Sequence, residues 1–189
     1  MQHNSKTERR NDRMDNVIEF DSKVTEKDLL SFKFYHKYHT VSGIAEILLA
    51  LILIVLAVMS AGKVNISYTL MVGVFGVFFL IFPSLDMKLR AKRQMISVVT
   101  FREKVHYRMD ASGITVSLGD VTEVLSWDKI YRIKFDGRNI DIYLTTINAT
   151  IIPVRDFDGR AEEFINLAKQ HLQAFQVKVN ADKLAKSSQ

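Results

Sequence analysis

The chain has 189 residues, 48% of them hydrophobic and 25% charged, with a formal net charge of +5 and no cysteine. The missing thiols exclude a disulfide framework, thiol catalysis and thiolate metal sites. No basic stripe with interleaved aromatics occurs, which sets nucleic-acid binding aside, while basic residues gathered beside one apolar segment point to anionic lipid headgroups as the charge partner.

Of 26 basic and 21 acidic side chains, only Glu46 and Lys63 fall within residues 41–82. Soluble domains distribute apolar residues at periods of two or 3.6; concentration of this kind marks a membrane segment. Residues 1–15 carry alternating charge and read as a disordered tail. Val17, Ile18 and Phe20 form a β-like run. Thr25-Glu26-Lys27-Asp28 ahead of Leu29-Leu30 resembles a helix start, with Thr25 as N-cap. Residues 16–40 are thus a strand and a helix leading into the bilayer.

Residues 41–61, VSGIAEILLALILIVLAVMSA, are expected to form the first transmembrane helix. At about 1.5 Å per residue they reach the ~30 Å of a hydrocarbon core. Their Leu, Ile and Val side chains contribute roughly −5 kcal/mol to insertion, against at most about +3 kcal/mol for an off-centre Glu46. Residues 62–65 form an external turn, and residues 66–82 a short, uncharged second span that ends where Pro83 and Ser84 break the pattern. Gly73 and Gly76 offer close helix approach. Residues 83–100 form a basic linker with Lys88, Arg90, Lys92 and Arg93. With Lys33 and Lys37 before the first span, these cations place both termini on the cytoplasmic side of a multi-pass cell (inner) membrane protein.

Residues 101–176 read as β structure followed by a helix. Ile114, Val116 and Leu118 alternate with polar neighbours, as do Tyr131, Ile133, Phe135 and then Ile140, Ile142, Leu144. Ser112-Gly113, Gly119-Asp120 and Asp136-Gly137 supply tight turns, so the strands form an antiparallel meander. A helix is expected from about Asp158, with Ala161, Phe164, Ile165, Ala168, Leu172 and Phe175 on one face. Residues 177–189 read as a polar tail. The fold class is therefore an α+β membrane protein: a two-helix transmembrane hairpin plus a small antiparallel β-roll of pleckstrin-homology-like (PH-like) shape, capped by a C-terminal amphipathic helix.

Gly113-Ile114, Trp127-Asp128-Lys129-Ile130 and Ile152-Pro153-Val154-Arg155-Asp156-Phe157 after a membrane hairpin resemble the bacterial YcxB-like family. The resemblance covers about residues 101–172. It implies an inner-membrane protein with a PH-like C-terminal domain, and it carries over no catalytic residue.

Four groups are candidate sites. Trp127 to Ile130 is either a core corner or a contact surface. His36, His39 and Glu46 share a helical face if one helix is continuous, and Glu46 is the possible functional residue within the membrane. Lys88, Arg90, Lys92 and Arg93 are possible lipid contacts. Asn65-Ile66-Ser67 and Asn148-Ala149-Thr150 match the glycosylation acceptor pattern by chance, the first abutting the membrane and the second on the cytoplasmic side. No catalytic constellation, metal site or cofactor motif occurs in the sequence. The expected function is that of a non-enzymatic interaction or scaffolding module at the membrane, with an unidentified protein partner or self-association. The alternative is an oligomeric transport, immunity or proton-linked component that uses Glu46.

Overall fold

A computed structural model of the protein describes residues 17–187, so the tail expected over residues 1–15 lies outside the described residues. The chain divides into two compact units. The first joins the residues up to Ser31 with those from Met95 onward; the second is Phe32–Gln94.

The first unit is built from two four-stranded sheets. One has the order β1-β2-β3-β4, from Ile18–Ser22, Val105–Asp110, Gly113–Leu118 and Val121–Ser126. The other has the order β7-β6-β5-β8, from Ala149–Pro153, Asn139–Tyr143, Arg132–Phe135 and Val177–Lys178. Every pairing is antiparallel except β5 with β8. Tight turns account for the meander, and Gly113, at φ 149°, lies so close to β4 that an added Cβ would meet the Leu125 carbonyl oxygen at 2.4 Å.

Two-residue alternation determines which side chains face inward. Ile18 and Phe20 of β1, Val105, Tyr107 and Met109 of β2, and Ile140 and Ile142 of β6 enter one core. Short 3₁₀ turns at Trp127–Lys129 and Val154–Phe157 add Trp127, Val154 and Phe157. A helix over Ala161–His171 closes the core with Ala161, Phe164, Ile165, Leu167 and Ala168. Phe157 links Phe20, at 4.5 Å between ring centroids, to Phe164, at 5.4 Å.

Three expectations for this unit need correction. The C-terminal helix starts at Ala161 rather than Asp158, because Asp158 adopts a left-handed conformation, φ 49°, at the end of the preceding turn. Phe175 does not share the buried face. The helix stops at His171, and Phe175 is 69% exposed. The polar tail is structured in part: β8 extends the second sheet, and a helix over Ala181–Ser187 buries Leu184. The first strand is β1, which the sequence marked only by Val17, Ile18 and Phe20.

The second unit contains the apolar helices, α2 (Val41–Ser60) and α3 (Ile66–Ser97), after the C-terminal part of α1 (Glu26–Tyr38). Both are long and apolar enough to cross a membrane. They pack through small residues. A Cβ on Gly76 would lie 2.8 Å from Ile54 Cγ1 and 3.2 Å from the Ala50 carbonyl oxygen, so any larger residue here would require Ile54 and the facing backbone to shift. Gly73 sits in ordinary contact with Ala57. Near the turn, the Ser60 and Thr69 hydroxyls are 3.3 Å apart. The break expected at Pro83 is absent, and α3 runs through it to Ser97. Proline removes one backbone donor, at about 3 kcal/mol. The residues after it, rich in Leu, Met, Lys, Arg and Ala, favour helix strongly enough to continue. The basic segment is therefore helical up to Ser97 and not an irregular linker.

Candidate functional site

Among the described residues, the most highly organised polar group centres on Asp28, a residue whose local role is helix capping. Thr25 precedes the first turn of α1, and both its backbone N–H (2.8 Å) and its hydroxyl (2.6 Å) donate to Asp28 Oδ2. This is the carboxylate half of a capping box, with the third-position acid reaching back to the N-cap, while the Asp28 N–H donates to the Thr25 carbonyl at 3.1 Å. Distant residues then meet the same carboxylate. Arg138, in the β5–β6 turn, donates from Nε at 2.5 Å, and Arg155 donates from Nη1 and Nη2 at 2.9 and 2.8 Å. Asn139 Nδ2 donates to the Asp28 carbonyl at 2.9 Å.

Asp28 is fully buried, whereas the two guanidinium side chains are 45% and 43% exposed. Burial alone would raise its pKa, but the hydrogen bonds from Arg155, Thr25 and Arg138 outweigh that effect and hold the carboxyl well below the usual carboxylate range. A second clasp lies beside it. Asp156 Oδ2 accepts from the Ser22 hydroxyl at 2.7 Å and the Lys23 backbone N–H at 3.1 Å. Arg160 Nη2 donates to the Val17 carbonyl at 3.2 Å. The residues of the Val154-Arg155-Asp156-Phe157 stretch thus hold the segment that precedes the apolar helices against the domain that follows them. Sequence reasoning missed this use: Asp28 was legible only as a first-turn acid, and the partner arginines lie 110 and 127 positions away.

The other buried acid, Asp141 of β6, has no such support. It is fully buried, and neither carboxylate oxygen has a hydrogen-bond partner among the described residues. Burial, reinforced by the charge of Asp136 and opposed by that of Lys134, pushes its pKa well above the ordinary value.

The candidate residues of the sequence are placed as follows. Glu46 Oε2 lies 2.5 Å from Lys37 Nζ. Gly43 makes this possible, since a Cβ there would overlap the Lys37 carbonyl oxygen at 2.0 Å. His36, His39 and Glu46 do not converge. A break at Thr40 separates α1 from α2, His39 stacks on Tyr35 and donates from Nδ1 to its carbonyl at 2.8 Å, and His36 stacks on Phe32. Lys88, Arg90, Lys92 and Arg93 lie exposed on α3, with Arg90 Nε 2.7 Å from Asp86. Trp127 is buried, donates from Nε1 to the Asp110 carbonyl at 3.1 Å and stacks on His171, while Asp128 and Lys129 are exposed.

One open groove of about 280 Å³ lies in the first unit between the two sheets, lined by Val116, Leu118, Val121, Glu123, Leu125 and Leu144, among others. The pairing of β1 with β2 across 83 or more positions means that the apolar helices are inserted within the β domain rather than placed before it. These features define a class: an α+β protein whose β module is interrupted by two long apolar helices. Residues 110–168 match the family model described as YcxB-like protein, so the chain carries a YcxB-like domain. That segment contains Trp127, Arg138, Arg155 and Asp156, while Asp28 and β1 lie before it. No curated protein and no solved structure matches the chain.

Proposed function

We propose that this protein is a non-enzymatic interaction module: a PH-like β-roll held at the inner face of the cell membrane by the α2–α3 hairpin inserted into it. The observation that carries the reading is the β1–β2 ladder, Ile18↔Met109 through Ser22↔Val105, which joins strands from either side of the apolar helices. Strands that pair in water must emerge on the same side of a bilayer, so the ladder and an even number of spans support each other. Two sheets, seven antiparallel strands and a packed C-terminal helix support the PH-like description of the domain.

On this reading the positive flanks place that side in the cytoplasm. Lys88, Arg90, Lys92 and Arg93 contribute about 1 kcal/mol each when close to anionic headgroups. The Lys37–Glu46 pair weighs against the alternative of a proton-linked pathway, because it neutralises the acid that such a pathway would use. The absence of native cysteine allows a direct test by single-cysteine labelling. In intact cells, Lys63→Cys should react with an impermeant maleimide, whereas Lys104→Cys should react only after permeabilisation. Equal labelling of both in intact cells would overturn the anchor reading. Recovery of no stable partner by the full chain in mild detergent would overturn the interaction role.

A further inference from the structure

We propose that β4 is a docking edge for an extended segment of another protein, one with apolar residues at alternate positions around a central Lys or Arg. The proposal rests on the interaction role above and specifies its site and the chemistry of its partner.

The argument starts from the free edges of the sheets. An unpaired strand edge presents backbone donors and acceptors that template pairing with another chain, and proteins usually cover or blunt it. The other edges are shorter or blunted. Asp156 and Arg160 fasten the two ends of β1, the edge strand β8 is only two residues long, and β7 ends in Pro153, which cannot donate. Strand β4, Val-Thr-Glu-Val-Leu-Ser, has no proline, lysine or glycine, and among the described residues nothing pairs with its outer side. It is rich in β-branched residues, and Val121 and Val124 are 72% and 56% exposed.

The groove supplies the second part of the argument. Val121, Glu123 and Leu125 are alternate residues of β4, and all three line the 280 Å³ opening together with Val116, Leu118 and Leu144. A strand added to β4 would continue the first sheet and direct every second side chain into this opening. Glu123 is the charged residue of the lining, and no ion pair engages it among the described residues. A cation facing Glu123, with aliphatic residues two positions to either side, completes both the charge and the apolar lining.

The probe is a fluorescent peptide, Ser-Thr-Val-Thr-Lys-Thr-Val-Thr-Ser, compared with the same peptide carrying Glu in place of Lys. The full chain is held in zwitterionic-lipid nanodiscs, and binding is read by anisotropy. The Lys peptide should bind at least tenfold more tightly than the Glu peptide and slow amide exchange across residues 121–126. The variant Glu123→Lys, at an exposed position and checked for folding by Trp127 fluorescence, should reverse the order. Binding of neither peptide, or a preference that ignores the charge swap, would overturn the proposal. So would self-association of the chain through β4 or occupation of the groove by lipid. A chain that recovers a stable partner in detergent yet ignores both peptides retains the interaction role and refutes only this site; failure in both assays refutes both.

Discussion

Replacing Asp28 with alanine tests the interior logic of the domain. The substitution removes the acceptor of the Thr25 cap, ordinarily about 1 kcal/mol, and the shared partner of Arg138 and Arg155. Breaking a buried ion pair by deleting one partner destabilises by about 3–5 kcal/mol when the remaining charge stays buried. Here the remaining charges are guanidiniums that are 45% and 43% exposed and can rehydrate, so the low end applies. The expected loss, cap and ion pairs together, is about 4 kcal/mol. Trp127 is the single tryptophan and lies in the core, so its fluorescence during urea unfolding in detergent reports on this unit. The loss should vary with pH in a definite direction. Because the folded pKa lies below the unfolded value, the stabilisation is complete above the unfolded pKa near 4 and disappears as pH falls through the folded one. The difference between wild type and Asp28→Asn should therefore shrink on acidification, and proteolysis of the alanine variant should begin between Ser22 and Ser31. A change below about 0.5 kcal/mol, the range of an ordinary surface substitution, would refute the clasp.

Asp141 should behave in the opposite way. Its folded pKa is raised, so stability falls as pH climbs above the unfolded carboxylate value, and Asp141→Asn should stabilise more at pH 8 than at pH 5, as measured by urea unfolding; an unchanged pH slope would contradict this. Gly76→Val should force the apolar helices apart, at about 1–3 kcal/mol, and abolish cross-linking of a Ser60→Cys/Thr69→Cys pair that otherwise forms readily. Trp127→Phe should weaken the domain by about 1–3 kcal/mol through the lost bond to the Asp110 carbonyl and lost packing, with the midpoint of circular-dichroism melting as the readout. In the lysine–glutamate pair, Lys37→Met should lower protein abundance in membranes more than the double variant Lys37→Met/Glu46→Leu, because only the single change leaves an unpaired acid; equal abundance of the two would remove the pair from the account.

The features legible in the sequence are those encoded by near neighbours. The apolar helices were legible because uninterrupted hydrophobicity over about 20 residues needs no knowledge of the rest of the fold. The Thr25 cap and the Gly113 turn were legible because their chemistry spans three or four residues. Pro83 misled because its local penalty is real but smaller than the helix preference of the residues after it. Phe175 misled because helical periodicity extends on paper past the point where Leu172 turns to extended geometry. The exposed strand β4 shows the weak alternation of Val121, Glu123 and Leu125 for a physical reason: it is an edge beside an open groove rather than a buried strand. The Asp28 clasp and the β1–β2 ladder were not legible, since both join residues separated by the whole hairpin, and neither charge pairing nor strand register has a signature at that separation.

That ladder is the central claim, and one cross-link tests it directly. Glu19 and Arg108 are register partners whose side chains meet at 2.7 Å, and the chain has no other thiol to interfere. In native membrane vesicles under mild oxidation, a Glu19→Cys/Arg108→Cys chain should form an intramolecular disulfide as readily as the Arg108→Cys/Thr115→Cys control, whose β2–β3 pairing does not cross the hairpin. A control that closes while the Glu19–Arg108 pair stays reduced would mean that the apolar helices do not interrupt a single domain.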